Sequence, residues 1–202
     1  MIKRKNILFV ISAPSGAGKT TIIEKLLKEI NGLIISISHT TRPPRNGEIN
    51  GKDYYFITKK EFKNKIDQNE FAEWNEYQDQ YYGSSFENLE NAKKQGKDLL
   101  FDIDINGAAN IKKKFDNGTY IFILPPSISS LRERLLKRGA ESREVIESRI
   151  KIAEKEIQHF KEYDYVVVNN KVSEASQKIS SIIFAQRCNK VNLIMTGNNF
   201  TK

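Results

Sequence analysis

Short apolar runs alternate with amphipathic stretches along most of the chain. The runs are uninterrupted and rich in β-branched residues, which is typical of strands buried on both faces. They predict strands at residues 7–12, 33–38, 98–105, 120–124 and 165–169. In the amphipathic stretches, apolar residues recur at the spacing of a helix with one buried face. They predict helices at residues 19–30, 84–95, 108–115, 131–138, 142–163 and 174–187.

The alternation of strands and helices predicts an α/β core in which helices flank a parallel sheet. Residues 40–83 interrupt it with more Pro, Gly, Asn and Tyr, a short alternating piece at 54–57 and a short helix at 61–68. That interruption predicts an inserted lobe with some antiparallel strand. The tail from residue 189 carries no such pattern, and we expect it to be frayed.

Composition narrows the class of protein. The 202 residues, 39% hydrophobic and 29% charged, suit one globular domain with or without insertions. No apolar run approaches the roughly 18 residues of a membrane span, and the basic, then apolar N-terminus lacks a signal-peptide cleavage site. One cysteine, Cys188, and two histidines exclude an internal disulfide and disfavour a zinc cluster. We therefore expect a cytoplasmic protein without a membrane partner.

The formal net charge of +8 favours an anionic partner. Nucleic acid, a membrane surface and nucleotide phosphates all qualify. The basic residues are mixed with acidic ones, and no run of five Lys or Arg occurs. Most of the lysines are therefore interpreted as a solvated surface.

A phosphate-binding loop follows the first predicted strand. It fits the Walker A pattern G-x-x-x-x-G-K-[ST], except that alanine replaces the first glycine, and it consists of Ala13, Pro14, Ser15, Gly16, Ala17, Gly18, Lys19 and Thr20. The glycines let backbone amides surround an anion at a helix N-terminus. Lys19 can reach the β- and γ-phosphates, and Thr20 can bind Mg²⁺. An ordinary glycine turn would not explain Lys19 and Thr20 at the helix start.

Three further groups of polar residues are functional candidates, and two of them also have an ordinary structural explanation. Asp102 and Asp104 end a predicted strand and alternate onto one face of it, so Asp102 can hold Mg²⁺, although aspartate is also common in turns. Arg42 and Arg45 lie three apart in a proline-stiffened segment upstream of Tyr54, which suits a phosphate clamp. The third group is a cluster of arginines on charged helices. Arg134 and Arg138 share a helical face and Arg149 follows Gly139, yet charge pattern alone favours a solvated face there.

With these residues the chain closely resembles the guanylate kinase family, in its bacterial type, which belongs to the P-loop nucleoside monophosphate kinases. The resemblance covers residues 6–187. The segments that carry it are residues 12–19, 38–42, 73–74, 81–83, 102–104, 125–127, 137–139 and 168–170.

The resemblance implies an enzyme that transfers the γ-phosphate of ATP, bound with Mg²⁺, to GMP. Lys19, Arg134, Arg138 and Arg149 would be catalytic, and Thr20 and Asp102 would hold the metal. The residues implied to bind GMP are Ser38, Arg42, Arg45, Tyr54, Glu73, Tyr82, Ser84 and Asp104. Residues 168–170 would lie near the adenine.

The implied fold is α/β, a P-loop core with an inserted mixed α+β lobe for GMP and a small helical lid. We expect the core at residues 1–35, 95–125 and 156–190, the lobe at 36–94, the lid at 126–155 and a frayed tail at 191–202.

Rival functions remain at this stage. A catalytically silent, guanylate kinase-like module that binds phosphopeptides would share the clamp, although this chain keeps its complete P-loop. An adenylate-type kinase is disfavoured by Glu73 with Ser38. A nucleic-acid-binding protein is disfavoured because no groove-reading motif occurs. Oligomeric state, and whether His39 tunes binding or faces solvent, stay open.

Overall fold

The computed structural model describes residues 2–77, 79–137 and 142–195. The strands are β1 Ile2–Arg4, β2 Leu8–Ser12, β3 Leu33–Ile35, β4 His39–Thr40, β5 Tyr55–Phe56, β6 Phe71–Tyr77, β7 Gln80–Ser85, β8 Asp98–Asp102, β9 Thr119–Leu124, β10 Tyr165–Val168 and β11 Leu193–Met195. The α-helices are α1 Lys19–Glu29, α2 Lys59–Asp67, α3 Phe86–Lys94, α4 Ile105–Lys114, α5 Ile128–Lys137, α6 Arg143–Ile157 and α7 Val172–Cys188. Short 3₁₀ turns lie at Gln158–Glu162 and Lys190–Asn192.

A parallel five-stranded sheet in the order β10-β9-β2-β8-β3 forms the centre of the protein. Side chains of β2 alternate between its two faces, as the strand period requires. Phe9 and Ile11 pack with α1 and α7 on one face, and Val10 packs with α4 on the other. This arrangement confirms the predicted α/β fold, in which helices flank a parallel sheet.

A second sheet, in the order β5-β4-β7-β6, is formed by the segment that interrupts the alternation. It is mixed, because β4 pairs in parallel with β5 and antiparallel with β7. Stacked rings of Phe62 in α2 and Phe71 in β6 fix that helix against the sheet. Helices α5 and α6 form a third, separate cluster around Leu131 and Ile150.

Several predicted boundaries are wrong. The predicted strand 98–105 ends at Asp102, and Asp104 instead caps α4 by accepting a hydrogen bond from the Gly107 amide at 2.7 Å. The two aspartates therefore do not share one face of a strand. Ser84 and Ser85 belong to β7 rather than to the following helix, because they pair with β6.

The prediction of a frayed tail is also wrong for part of its length. Residues Leu193–Met195 form β11, which pairs antiparallel with β1, and the Lys5 amide donates to the Asn192 carbonyl at 2.8 Å. Pairing between two segments that lie far apart in the chain cannot be predicted from the local sequence of either segment. Within the ranges that the structure describes, no helix has the length and apolarity that crossing a membrane requires.

The carboxylate of Asp98 fastens the N-terminal segment and α7 to the central sheet. It is fully buried at the start of β8. It accepts hydrogen bonds from the Ile7 amide at 2.9 Å and from the Arg187 guanidinium at 2.8 Å, and it also pairs with Arg4. A buried carboxylate stabilises the fold only while its hydrogen-bond donors are in place, because an unpaired buried charge is unfavourable.

We expect Asp98→Ala to lower the free energy of unfolding by about 3–5 kcal/mol, because it leaves Arg187 partly buried without its carboxylate. Urea denaturation followed by circular dichroism measures this. The matched control is Asp67→Ala, which removes an exposed aspartate at the end of α2 and should change stability by less than about 0.5 kcal/mol. Equal effects of the two substitutions would contradict this account of Asp98.

Candidate active site

A cavity of about 540 Å³ lies where β2 and β8 end at the same edge of the central sheet. Ligands of parallel α/β sheets bind at this edge, outside the carboxyl ends of the strands. The P-loop, residues 13–20, follows β2 and forms one wall. Strand β6 of the second sheet and helix α6 form the other walls.

The P-loop has the backbone shape of an anion cradle. Gly16 has φ +88° and Gly18 has φ +92°, both in the left-handed region that favours glycine. A Cβ atom at Gly18 would lie 2.6 Å from Asn169 Nδ2. The loop already binds an anionic group, because the Ser15 amide donates to the Glu156 carboxylate at 3.3 Å. We infer that the loop is built to hold phosphate oxygens.

Side chains from distant segments brace this loop. Asn169, which follows β10, donates to the Ala17 carbonyl at 2.7 Å. Arg134 in α5 donates to the Ala17 and Asn169 carbonyls at 3.3 and 2.7 Å. Arg149 in α6 donates to Ser15 Oγ at 2.6 Å. The loop is therefore held in shape by α5, α6 and the end of β10.

Lys19 of the P-loop forms an ion pair with Asp102 at the end of β8. Lys19 Nζ lies 2.5 Å from Asp102 Oδ1 and donates to the Ile103 carbonyl at 3.0 Å. Thr20 lines the same wall of the cavity. A carboxylate and a hydroxyl at this place are oxygen ligands of the kind that Mg²⁺ prefers, with phosphate and water completing its shell. The residues present therefore fit a magnesium ion held jointly with a nucleotide.

The opposite end of the cavity holds a buried carboxylate on β6. Glu73 is 3% exposed, and burial raises its pKa to about 7. The Ser84 hydroxyl lowers that pKa, and the negative charge of Asp104 raises it. Helix α4 approaches so closely that a Cβ atom at Gly107 would lie 2.9 Å from Glu73 Oε2. Glu73 is thus a nearly water-free acceptor whose charge depends on its surroundings.

A pair of hydrogen-bonded serine hydroxyls adjoins Glu73. Ser84 lies opposite it in the β6–β7 register and is fully buried. The Ser38 and Ser84 hydroxyls lie 3.0 Å apart. Tyr54 and Tyr82 line the same cavity, and burial raises the pKa of Tyr54 to about 12, so it remains a phenol donor at neutral pH. The cavity therefore offers several neutral donors beside the carboxylates of Glu73 and Asp104.

The two arginines of the predicted clamp differ in position. Arg45 lines the cavity. Arg42 instead forms two parallel hydrogen bonds to the Glu48 carboxylate at 2.9 and 2.8 Å, and its guanidinium lies over the Tyr54 ring. These bonds hold the pKa of Arg42 above its usual value. The fork of Arg42 is therefore in the bidentate geometry that a phosphate would also accept.

Comparisons with known proteins agree on one family. A family model described as guanylate kinase matches residues 5–186. The chain belongs to the guanylate kinase family. A curated guanylate kinase of Geobacter metallireducens is 46% identical over 195 residues, covering 96% of each chain. One from Caldanaerobacter subterraneus is 46% identical over 187 residues, covering 93% of this chain and 91% of that one.

A solved guanylate kinase structure has the same fold. The crystal structure from Anaplasma phagocytophilum is 34% identical, with a TM-score of 0.81, and covers 96% of this chain and 93% of that one. Guanylate kinases are enzymes of the nucleoside monophosphate kinase class. The alternative of a catalytically silent module therefore receives no support.

The cavity brings together most of the residues that the resemblance to guanylate kinases implies. Among those implied residues, the ones that line the cavity are Ala13, Pro14, Ser15, Gly16, Ala17, Gly18, Lys19, Thr20, Ser38, Arg45, Tyr54, Glu73, Tyr82, Asp102, Asp104 and Arg149. Three others, Arg42, Ser84 and Arg134, contact lining residues without being part of the wall. Arg138 lies outside the described residues.

Several wall residues were not predicted, although the sequence carries a usable signal for them. Asn75 and Tyr77 follow Glu73 at the strand period, so they share its face of β6. Glu156 follows Arg149 at helical spacing and shares its face of α6. His39 does not face solvent, because it is buried against Tyr55 and Phe71, and burial lowers its pKa to about 4.

The raised pKa of Glu73 predicts a pH-dependent cost of burial. The folded chain keeps the proton up to about pH 7, whereas a glutamate in an unfolded chain loses it near pH 4.5. Stability therefore falls as the pH rises through this window. Glu73→Gln has no such loss, so relative to the parent chain it should gain about 2–3 kcal/mol of unfolding free energy between pH 5 and pH 8. Urea denaturation at both pH values measures it, and a difference that does not change with pH would be incompatible with a buried, titrating Glu73.

Proposed function

We propose that this cavity transfers the γ-phosphate of ATP to GMP, giving ADP and GDP. The observation that carries the proposal is that one cavity joins a P-loop containing Lys19 to the buried carboxylate of Glu73. The P-loop suits a nucleoside triphosphate, and Glu73 suits a base with adjacent donors. We further propose that both substrates are small-molecule nucleotides, and that the enzyme acts in purine nucleotide metabolism and GMP recycling in the cytoplasm.

Glu73 would select guanine by hydrogen-bond polarity. Guanine presents N1–H and a 2-amino group side by side, and one carboxylate accepts from both. Adenine has an unprotonated N1 there, which would face Glu73 acceptor to acceptor. The hydroxyls of Ser38 and Ser84 can donate to the guanine O6. A site built on such bonds discriminates by about 10⁴–10⁵.

The GMP phosphate would bind between Arg45, Tyr54 and Tyr82, which line the cavity together. Arg42 would join them by exchanging the Glu48 carboxylate for a phosphate, since both accept the same bidentate fork. This brings two guanidinium groups and two phenol donors to one dianion.

On the ATP side, the P-loop amides would bind the phosphates and Lys19 would turn from Asp102 toward the β- and γ-phosphates. Thr20 and Asp102 would hold Mg²⁺, which supplies neutralising charge when bound with ATP. The acceptor is a phosphate oxygen that is already anionic, so no general base is needed. The requirement is positive charge around the transferred group, which Lys19 and Arg149 supply.

The proposed parts are a core at residues 1–35, 95–125 and 156–190, a GMP lobe at 36–94 and a lid at 126–155. Closure of the lid would bring Arg134, Arg138 and Arg149 around the phosphates and exclude water that hydrolyses ATP. Arg134 and Arg149 already contact the P-loop, which supports this role for the lid helices. Residues 168–170 would lie beside the adenine, consistent with Asn169 against Ala17.

The direct test is ADP formation from Mg-ATP in a coupled assay, with GMP and separately with AMP. We expect turnover with GMP and at least 10³-fold lower kcat/KM with AMP. Glu73→Gln should reduce that ratio at least tenfold, because the amide replaces one acceptor with a donor. The matched control is Glu76→Gln, an exposed glutamate on the same strand. Binding of GMP without turnover of either nucleotide would contradict the proposed reaction.

A further inference from the structure

Asn75 is a wall residue with no role in the reaction described so far. It lies two positions after Glu73, on the same face of β6, and lines the cavity. Its Nδ2 donates to both carboxylate oxygens of Asp104, at 2.7 and 2.9 Å. Asn75 therefore links the strand that carries Glu73 to the residue that caps α4.

The amide of Asn75 has one orientation in this contact. An ionised carboxylate only accepts hydrogen bonds, so the NH₂ group must face Asp104 and the carbonyl must face away. That carbonyl, Oδ1, is buried and has no hydrogen-bond partner within the described residues. Leaving a buried carbonyl unpaired is unfavourable. An apolar side chain would avoid this cost, so the contact with Asp104 is what the amide contributes here.

The contact fixes Asp104 close to Glu73. A Cβ atom added at Gly107 would lie 2.9 Å from Glu73 Oε2 and 3.4 Å from Asp104 Oδ1, so the two carboxylates share one small space. They repel each other, and the negative charge of Asp104 needs compensating donors. It receives them from the Gly107 amide at 2.7 Å and from Asn75. These neutral donors stabilise Asp104 without adding a cation that would pair with Glu73.

Guanine has one donor that a carboxylate paired with its N1–H does not reach. Glu73 can take N1–H and one hydrogen of the 2-amino group, which leaves the second amino hydrogen without an acceptor. Asp104 lines the same cavity and lies beside Glu73. We propose that Asn75 is a positioning residue for guanine recognition, which holds the Asp104 carboxylate in place to accept that second amino hydrogen.

This inference rests on the proposed function, and an analogue separates the two. IMP is the same nucleotide without the 2-amino group, so it cannot use Asp104 in this way. Asn75→Ala should raise KM for GMP about tenfold, because GMP then loses the hydrogen bond from its 2-amino group to the charged Asp104. KM for IMP should stay unchanged. Asp104→Asn should lower the preference for GMP over IMP in the same direction. The kcat with GMP and the KM for ATP should stay the same in Asn75→Ala.

Asn110→Ala is the matched control. Asn110 also links α4 to β6, through a hydrogen bond to the Trp74 carbonyl at 3.4 Å, but it does not line the cavity. We expect it to change neither KM. A parent chain that does not phosphorylate GMP would overturn the proposed function itself. If the parent enzyme is active but Asn75→Ala leaves the ratio of KM for GMP to KM for IMP unchanged, the positioning role alone is overturned. Equal rises in both KM values together with a lower Tm would overturn it in the same way, because they indicate a general loss of structure.

Discussion

The site depends on keeping one carboxylate almost free of water while leaving it available as an acceptor. Glu73 meets this constraint because β6 lies against α4, where Gly107 has no side chain to occupy the space. The same burial raises its pKa to about 7, so near neutral pH the donors of a ligand can shift the group toward its anionic form. The second sheet, the β6–β7 pairing and the cap of α4 all serve to hold this carboxylate.

The phosphate end of the cavity follows a different physical rule. There the backbone supplies the donors, and its shape must be rigid before a ligand arrives. Arg134, Arg149 and Asn169 hold the P-loop by hydrogen bonds, and each lies far from it in the chain. The parallel sheet brings the loop and Asp102 to one edge, so a single cavity combines the backbone amides of the P-loop with the buried carboxylate of Glu73.

Local patterns predicted the α/β core and the P-loop, because strand burial, helix periodicity and a glycine-rich turn are each encoded by neighbouring residues. Contacts between distant residues were not predictable in this way. The β1–β11 pairing and the packing of Gly107 against Glu73 depend on the assembled fold. The place of Asn75 in the cavity wall was predictable, since it shares the strand face of Glu73. Its role was not, because an asparagine on a strand does not by itself indicate a function.

The central claim is that an ionised Glu73 reads the guanine base. Calorimetric titration of GMP at pH 6 and pH 8, with the parent chain and with Glu73→Gln, tests it most directly. The phosphate of GMP changes its protonation equally in both experiments, so the comparison isolates the effect of residue 73 on the pH dependence of binding. The account predicts that lowering the pH weakens binding to the parent chain about tenfold more than binding to the variant. The same pH dependence in both proteins would contradict it.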